Sequence, residues 1–304
     1  MLGRMLAVGN SDGRVMLVDA ATGEVKWAVQ AHDGSDSGTR VTMSPRNGRF
    51  VASIGFAAEN WKLWDVASGA EWMTGERHSG LGPCTCRVTR SGRISLDVGC
   101  PVVAHTAVLR AQTCSPCGKF LATGGDDGAV ILWNAQTGRA EHRMQGDPPV
   151  SSLSFSADGA RLAGGGWDQF IYVWDTTTGA LLRTMEKPDH AVARVEFSPT
   201  NPRMIANLSF ATITLWDVCR GEIIKTLAGH RYATFAGDGR TIATASNSDH
   251  RDVMLVDVEL GAVRLRLSGH QRYVFSASFS ADGGSKLASA SHDGTCKVSL
   301  TPEP

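Results

Sequence analysis

One phrase of residues returns along this chain at nearly constant spacing, and it limits the fold more than any other feature. Its clearest copy is Gly124-Gly125-Asp126-Asp127-Gly128-Ala129-Val130-Ile131-Leu132-Trp133-Asn134, a tight turn followed by a short apolar strand that ends in Trp and a polar residue. It recurs as Asp168-Gln169-Phe170-Ile171-Tyr172-Val173-Trp174-Asp175, as Phe210-Ala211-Thr212-Ile213-Thr214-Leu215-Trp216-Asp217 and as Trp61-Lys62-Leu63-Trp64-Asp65. Weaker copies end at Val18-Asp19, Val256-Asp257 and Ser299-Leu300. The seven anchors, at positions 18, 64, 133, 174, 216, 256 and 299, lie 46, 69, 41, 42, 40 and 43 residues apart. A period near forty residues is that of a four-stranded repeat unit, so seven anchors predict seven units. The long interval is one period with an irregular segment at residues 79–104, read in preference as an insertion, with degenerate strands at 84–88 and 94–98 as the alternative.

Around each anchor the chain breaks into short apolar runs separated by turn residues. Residues 5–8, 15–18 and 24–29 are strand candidates divided by Asn10-Ser11-Asp12-Gly13 and Ala21-Thr22-Gly23. Strand, reverse turn, strand recurs around Cys114-Ser115-Pro116-Cys117-Gly118, Phe155-Ser156-Ala157-Asp158-Gly159, Phe197-Ser198-Pro199 and Phe279-Ser280-Ala281-Asp282-Gly283. Nothing reads as a long amphipathic helix, and the 34 glycines suit a chain that turns every few residues. The sixth unit is short, since His230 to Asp238 spans fewer positions than His270 to Asp282, and its first strand is expected to be clipped.

These motifs, together with Gly229-His230 and Gly269-His270, resemble the WD40-repeat family of β-propellers over nearly the whole chain. The resemblance implies an all-β, seven-bladed propeller of four-stranded antiparallel blades, with residues 1–304 as a single domain. It also exposes a departure. The first unit begins at a blade's second strand and the last stops at its third, so a truncated product or an imperfectly closed ring is expected.

In the family, a His, a Ser or Thr, an Asp and the Trp form a buried hydrogen-bonded tetrad, and His105, Thr123, Asp127 and Trp133 match it. The last unit keeps His270, Ser289 and Asp293 but has Ser299 in place of Trp; the fourth has Gly164 in place of Ser or Thr. A Ser-His-Asp trio invites a hydrolase reading, but a trio that recurs unit by unit is a scaffold element rather than a single exposed nucleophile. No nucleophile elbow, phosphate-binding P-loop or His-Glu-x-x-His occurs, so no catalytic residues, cofactor or metal are expected. Cys84, Cys86, Cys100, Cys114 and Cys117 match zinc-ligand spacing only weakly, and Cys114 stands where related turns carry Phe. Gly124 to Gly128 lacks the spaced oxygen ligands of a calcium loop.

Thirty basic residues balance thirty acidic ones, which gives no global field toward nucleic acid or membrane. Seven unpatterned cysteines and no long apolar run point to a soluble protein of a reducing compartment, cytoplasmic or nuclear. The expected function is a non-enzymatic scaffold that binds a protein or peptide on its loop rim, with no nucleic acid and no membrane partner. Trp167, in the turn before Asp168, leads the rim candidates; Asp126, Phe210 and His292 occupy equivalent turns, and Arg231, Arg272 and Tyr273 follow the Gly-His pairs. Arg87, Arg90 and Arg93 read as a solvated loop within the insertion. Two alternatives remain open: a sensor or substrate-receptor propeller of a larger signalling or ubiquitin-ligase assembly, and an enzyme with an unrecognised channel site. Against the ligase reading, no anchor carries Trp-Asp-x-Arg/Lys; Trp216-Asp217-Val218-Cys219-Arg220 misses it by one position.

Overall fold

A computed structural model describes residues 5–32, 39–44, 49–55, 60–76, 105–147, 149–167, 169–186, 192–209, 212–229, 233–246, 251–280 and 284–301. The described residues form strands and turns with no helix. Blade 1 holds β1 (Met5–Gly9), β2 (Arg14–Asp19) and β3 (Val25–Gln30); blade 2 holds β4 (Thr39–Met43), β5 (Phe50–Gly55), β6 (Asn60–Asp65) and β7 (Glu71–Glu76). Blade 3 is β8 (Leu109–Cys114), β9 (Phe120–Gly125), β10 (Ala129–Asn134) and β11 (Ala140–Gln145). Blade 4 is β12 (Val150–Phe155), β13 (Arg161–Gly166), β14 (Phe170–Asp175) and β15 (Leu181–Glu186). Blade 5 is β16 (Arg194–Phe197), β17 (Met204–Leu208), β18 (Thr212–Asp217) and β19 (Glu222–Ala228). Blade 6 is β20 (Ala233–Phe235), β21 (Thr241–Ala245), β22 (Val253–Asp257) and β23 (Val263–Leu267), and blade 7 is β24 (Val274–Phe279), β25 (Lys286–Ser291) and β26 (Cys296–Leu300). Strands within each blade pair antiparallel in chain order, and the blades stand in a ring as a seven-bladed propeller. The clipped first strand of the sixth unit is the three-residue β20.

Burial explains why the anchors were the clearest signal. A third strand such as β10 is covered by a blade on each face, so Ala129 through Trp133 are all buried and the strand reads as a continuous apolar run. Outer strands such as β19 face solvent and alternate poorly. Apolar clusters join successive blades. Phe50, Trp61 and Met73 meet Leu121, Ile131 and Trp133 between blades 2 and 3; Leu132 and Met144 meet Leu162 and Trp174 between blades 3 and 4. Each fully buried Leu or Ile in these clusters contributes about 1.5–3 kcal/mol relative to exposure. Similar clusters fill the joints 1–2, 4–5, 5–6 and 6–7, but among the described residues none joins blade 7 to blade 1.

The polar residue after each anchor has a local task. The Asp175 carboxylate accepts from the backbone N–H of Thr177 at 2.9 Å and Thr178 at 2.8 Å, and Gly179 follows with φ of 72°. The same turn forms at Asp19, Asp65, Asn134 and Asp217, and Asp257 accepts from Leu260 N–H. It reverses the chain into the outermost strand. Leu300 holds the equivalent position in blade 7 and its side chain offers no acceptor; among the described residues this sheet holds β24, β25 and β26. The segment 79–104, with Cys84, Cys86, Cys100, Arg87, Arg90 and Arg93, lies outside the described residues.

Candidate functional site

Because strands alternate in direction, the loops from second to third strand open at the same end of the ring as the loops that enter the first strand. Trp167 lies between β13 and β14, Asp126 between β9 and β10, and His292 between β25 and β26; Arg272 and Tyr273 lead into β24. All five therefore share one rim. Phe210 and Arg231 lie outside the described residues, as does Asp168. Trp167 is 67% exposed and is followed two residues later by Gln169 at φ of 71°, a left-handed position that sharpens the turn.

Asp126 is engaged within the chain. Arg110 Nε and Nη2 donate to its two carboxylate oxygens at 2.8 and 2.7 Å, a bidentate pair between an inner strand and the rim turn. In blade 7 the candidates are drawn together. His292 N–H donates to the Tyr273 carbonyl at 2.9 Å, and the Ser291 hydroxyl donates to the Arg272 carbonyl at 2.9 Å. The His292 ring then meets Tyr273 edge-on at 6.5 Å and Phe275 at 5.2 Å. Tyr273 is 56% exposed and Phe275 40%. Phe275 was not legible as a rim residue, because an aromatic in a strand ordinarily reads as core. Together Tyr273, Phe275 and His292 present an amphipathic aromatic patch.

The tetrad residues form a closed polar chain beneath the rim. His105 Nδ1 lies 3.0 Å from Asp127 and its Nε2 2.9 Å from Thr123 Oγ1, which accepts from Trp133 Nε1 at 2.8 Å. Burial works against the Asp127 charge, but the His105 bond and charge, with the N–H groups of Thr106 and Ala129, hold its pKa at about 2. Blade 7 repeats the arrangement: His270 bridges Asp293 at 3.0 Å and Ser289 at 2.8 Å. Blade 2 carries a version the sequence reading passed over. His32 Nδ1 meets Asn60 Oδ1 at 3.0 Å, its Nε2 meets Ser53 Oγ at 3.0 Å, and Trp64 Nε1 donates to Ser53 Oγ at 2.9 Å. Asn in place of Asp concealed it. In all three the Ser or Thr is buried, so none of these trios presents its hydroxyl as an exposed nucleophile.

Blade 5 breaks the pattern. Asn207 stands at the Thr123 position, and both of its amide atoms, Thr214 Oγ1 and Trp216 Nε1 are buried with no hydrogen-bond partner. Along the channel, inner strands are stitched by side chains that sequence spacing does not reveal. Arg40 Nη1 donates to the carbonyls of Arg110 at 2.5 Å and Ser151 at 3.3 Å, spanning three blades. Ser152 and Ser154 accept from the N–H groups of Val195 and Phe197, and Glu196 accepts from Thr234 and from Phe235 N–H. Cys114 is buried and its thiol is pushed up to about 12, so it is neutral at pH 7 and a poor zinc ligand. Among the described residues no three His, Cys, Asp or Glu side chains converge as a metal site, and no helix is long and apolar enough to cross a membrane.

Comparison with known proteins agrees with this geometry. The family model of the WD domain, G-beta repeat, matches residues 100–134, 138–175 and 261–298. Over 269 residues the chain is 27% identical to the Arabidopsis thaliana protein described as cell division cycle 20.1, cofactor of APC complex, covering 78% of this chain and 58% of that one. It is 24% identical over 212 residues to a guanine nucleotide-binding protein subunit beta of Zea mays, covering 64% of this chain and 56% of that protein. It is 28% identical over 127 residues to the COMPASS component SWD3 of Saccharomyces cerevisiae, covering 41% of this chain and 40% of that protein. The chain thus spans a little over half the length of the first two.

Proposed function

Since the chain belongs to the WD40-repeat β-propellers, we propose that it is a non-enzymatic scaffold that binds a protein or peptide partner across its loop rim. The observation that carries this reading is the exposure of Trp167, a large aromatic held out at 67% between β13 and β14. Aromatic and Arg side chains dominate interface energies because they bury large areas at small entropic cost. Arg272, Tyr273, Phe275 and His292 supply a second anchor across the same rim, so a partner gripping both would be held by separate blades. Asp126 contributes through the Arg110 pair, as a fixed acceptor rather than a free charge. Phe210 and Arg231 belong to the same proposed rim by their loop positions.

The balanced charge supports neither nucleic acid nor an anionic membrane as the ligand, and the buried trio hydroxyls support a role without catalysis. The six shared apolar joints support reading residues 1–304 as one domain, which we place in the cytoplasm or nucleus. Two of the relatives are named as a cofactor of one complex and a component of another, which favours a place in a multi-protein assembly for this chain as well. Capture of binding partners on the immobilised chain, identified by mass spectrometry, tests the reading. Trp167→Ala and Arg272→Ala should each lose partners held by the intact chain while circular dichroism stays unchanged. Retention of the same partners by both variants would refute the rim assignment.

A further inference from the structure

Three polar side chains meet inside blade 5. Asn207 on β17 and Thr214 on β18 are opposite each other in register, and Trp216 lies two residues along the same face of β18. That face turns toward blade 4, because Ile205 and Trp216 on it pack with Ala163 and Ile171. Asn207, Thr214 and Trp216 are 0%, 1% and 3% exposed. Asn207 Oδ1 and Nδ2, Thr214 Oγ1 and Trp216 Nε1 have no hydrogen-bond partner among the described residues. A buried polar atom needs a partner, because folding has stripped it of the water it bonded in the unfolded chain.

Blades 2 and 3 solve the same problem directly. Ser53 and Thr123 hold the register position of Asn207, and each hydroxyl accepts from its blade's indole: Trp64 Nε1 at 2.9 Å and Trp133 Nε1 at 2.8 Å. Asn207 puts an amide in place of that hydroxyl, and the bond to Trp216 is not made. The chemistry of the group limits what can complete it. An indole N–H only donates, an amide donates and accepts, and a hydroxyl does either. A cation would face the donor Trp216 Nε1, and an anion would leave the acceptor Asn207 Oδ1 unpaired. Either would also bury a charge against Ala163, Ile171, Val173, Val192 and Ile205. The fitting ligand is small, neutral, and both donor and acceptor; water is all three, and a buried water typically makes about three hydrogen bonds.

We propose that blade 5 holds an internal water site. Ordered water accepts from Trp216 Nε1 and bridges it to Asn207 and Thr214, doing in blade 5 what a Ser or Thr hydroxyl does in blades 2 and 3. Because that water must be immobilised, its bond to Trp216 contributes less than the direct bond of Trp133 to Thr123.

A crystal structure of the full chain, at a resolution that shows ordered water, tests the site directly. The expected result is a water within hydrogen-bond distance of Trp216 Nε1 and of Asn207 or Thr214. In Asn207→Thr the new hydroxyl should take the indole bond itself and displace that water. In solution, the Trp216 indole proton is assigned by its loss in Trp216→Phe. It should show a cross-peak to water with NOE and ROE of opposite sign, the mark of a water held longer than surface hydration. The cross-peak should survive in Thr214→Val, where no hydroxyl of the group remains to relay it by exchange. The wild-type crystal stands as a test if any variant fails to fold. A protein side chain bonded to Trp216 Nε1 in that crystal, or no water within its reach, overturns the proposal. So does a water that stays in place in Asn207→Thr, or a cross-peak absent from Thr214→Val.

Discussion

The indole N–H of Trp133 donates to Thr123 at 2.8 Å, whereas the indole N–H of Trp216, at the same place two blades on, is buried without an acceptor. Two residues of the same type in the same fold position thus differ in one hydrogen bond. Trp133→Phe should lose that bond in addition to indole packing. Trp216→Phe loses packing but also removes a buried unsatisfied donor. The first variant is expected to be the less stable by about 1–2 kcal/mol. Urea midpoints of the two variants, compared with wild type, measure the gap; equal losses would mean that the Trp133 bond contributes nothing net.

Asp127 gives the stability of blade 3 a defined acid limb. Its folded pKa of about 2 lies below the ordinary value of 3.8, so the unfolded chain takes up the proton first as pH falls. The stabilisation from this carboxylate is complete above pH 3.8 and disappears as pH falls through about 2. Asp127→Asn should be less stable than wild type at pH 7 by roughly 2 kcal/mol or more, because the His105 ring loses its charged partner. Between pH 4 and 2 its unfolding temperature should fall less steeply than that of wild type. Parallel curves through that window would show that the carboxylate is not the titrating group.

Much of this architecture was legible because burial on both faces leaves a one-dimensional trace. Third strands such as β10, β14 and β18 are buried over at least four consecutive residues and largely apolar, and the Asp or Asn that follows closes a turn, so the two together mark six of the blades in the sequence. The His105 set was legible for a similar reason: buried polar groups need fixed partner types at fixed spacing. His32 escaped because its ring is met by the amide oxygen of Asn60, where the pattern looks for a carboxylate. The pairing of Asp126 with Arg110 was not legible, because the two lie on different elements with no sequence pattern linking them. The channel contacts of Arg40 join residues far apart in sequence, and only the packing of blades 2, 3 and 4 side by side brings them together. The exposure of Phe275 and Val298 likewise depends on how blades pack in space, not on their own neighbours in the chain.

Gly164 is where the family pattern and the structure give opposite advice. The pattern places Ser or Thr there, and Gly164→Ser would look like the repair of a degenerate blade. The register pairs Gly164 with Tyr172, and a Cβ added at Gly164 would lie 2.8 Å from Cζ3 and 3.0 Å from Cη2 of Trp174. Trp174 is among the largest fully buried side chains, stacked on Tyr172 at 5.7 Å, so its ring cannot swing aside without displacing the apolar joint between blades 3 and 4. The Cδ2 of Leu153 closes the space from another side at 3.2 Å. Overpacking of a filled core costs about 1–3 kcal/mol, more than one new hydrogen bond to a hydroxyl returns. Gly164→Ser should therefore lower the thermal midpoint and the urea midpoint together. A rise in either would show that the Trp174 ring has room the packing does not reveal, and that the serine had found the indole as its partner.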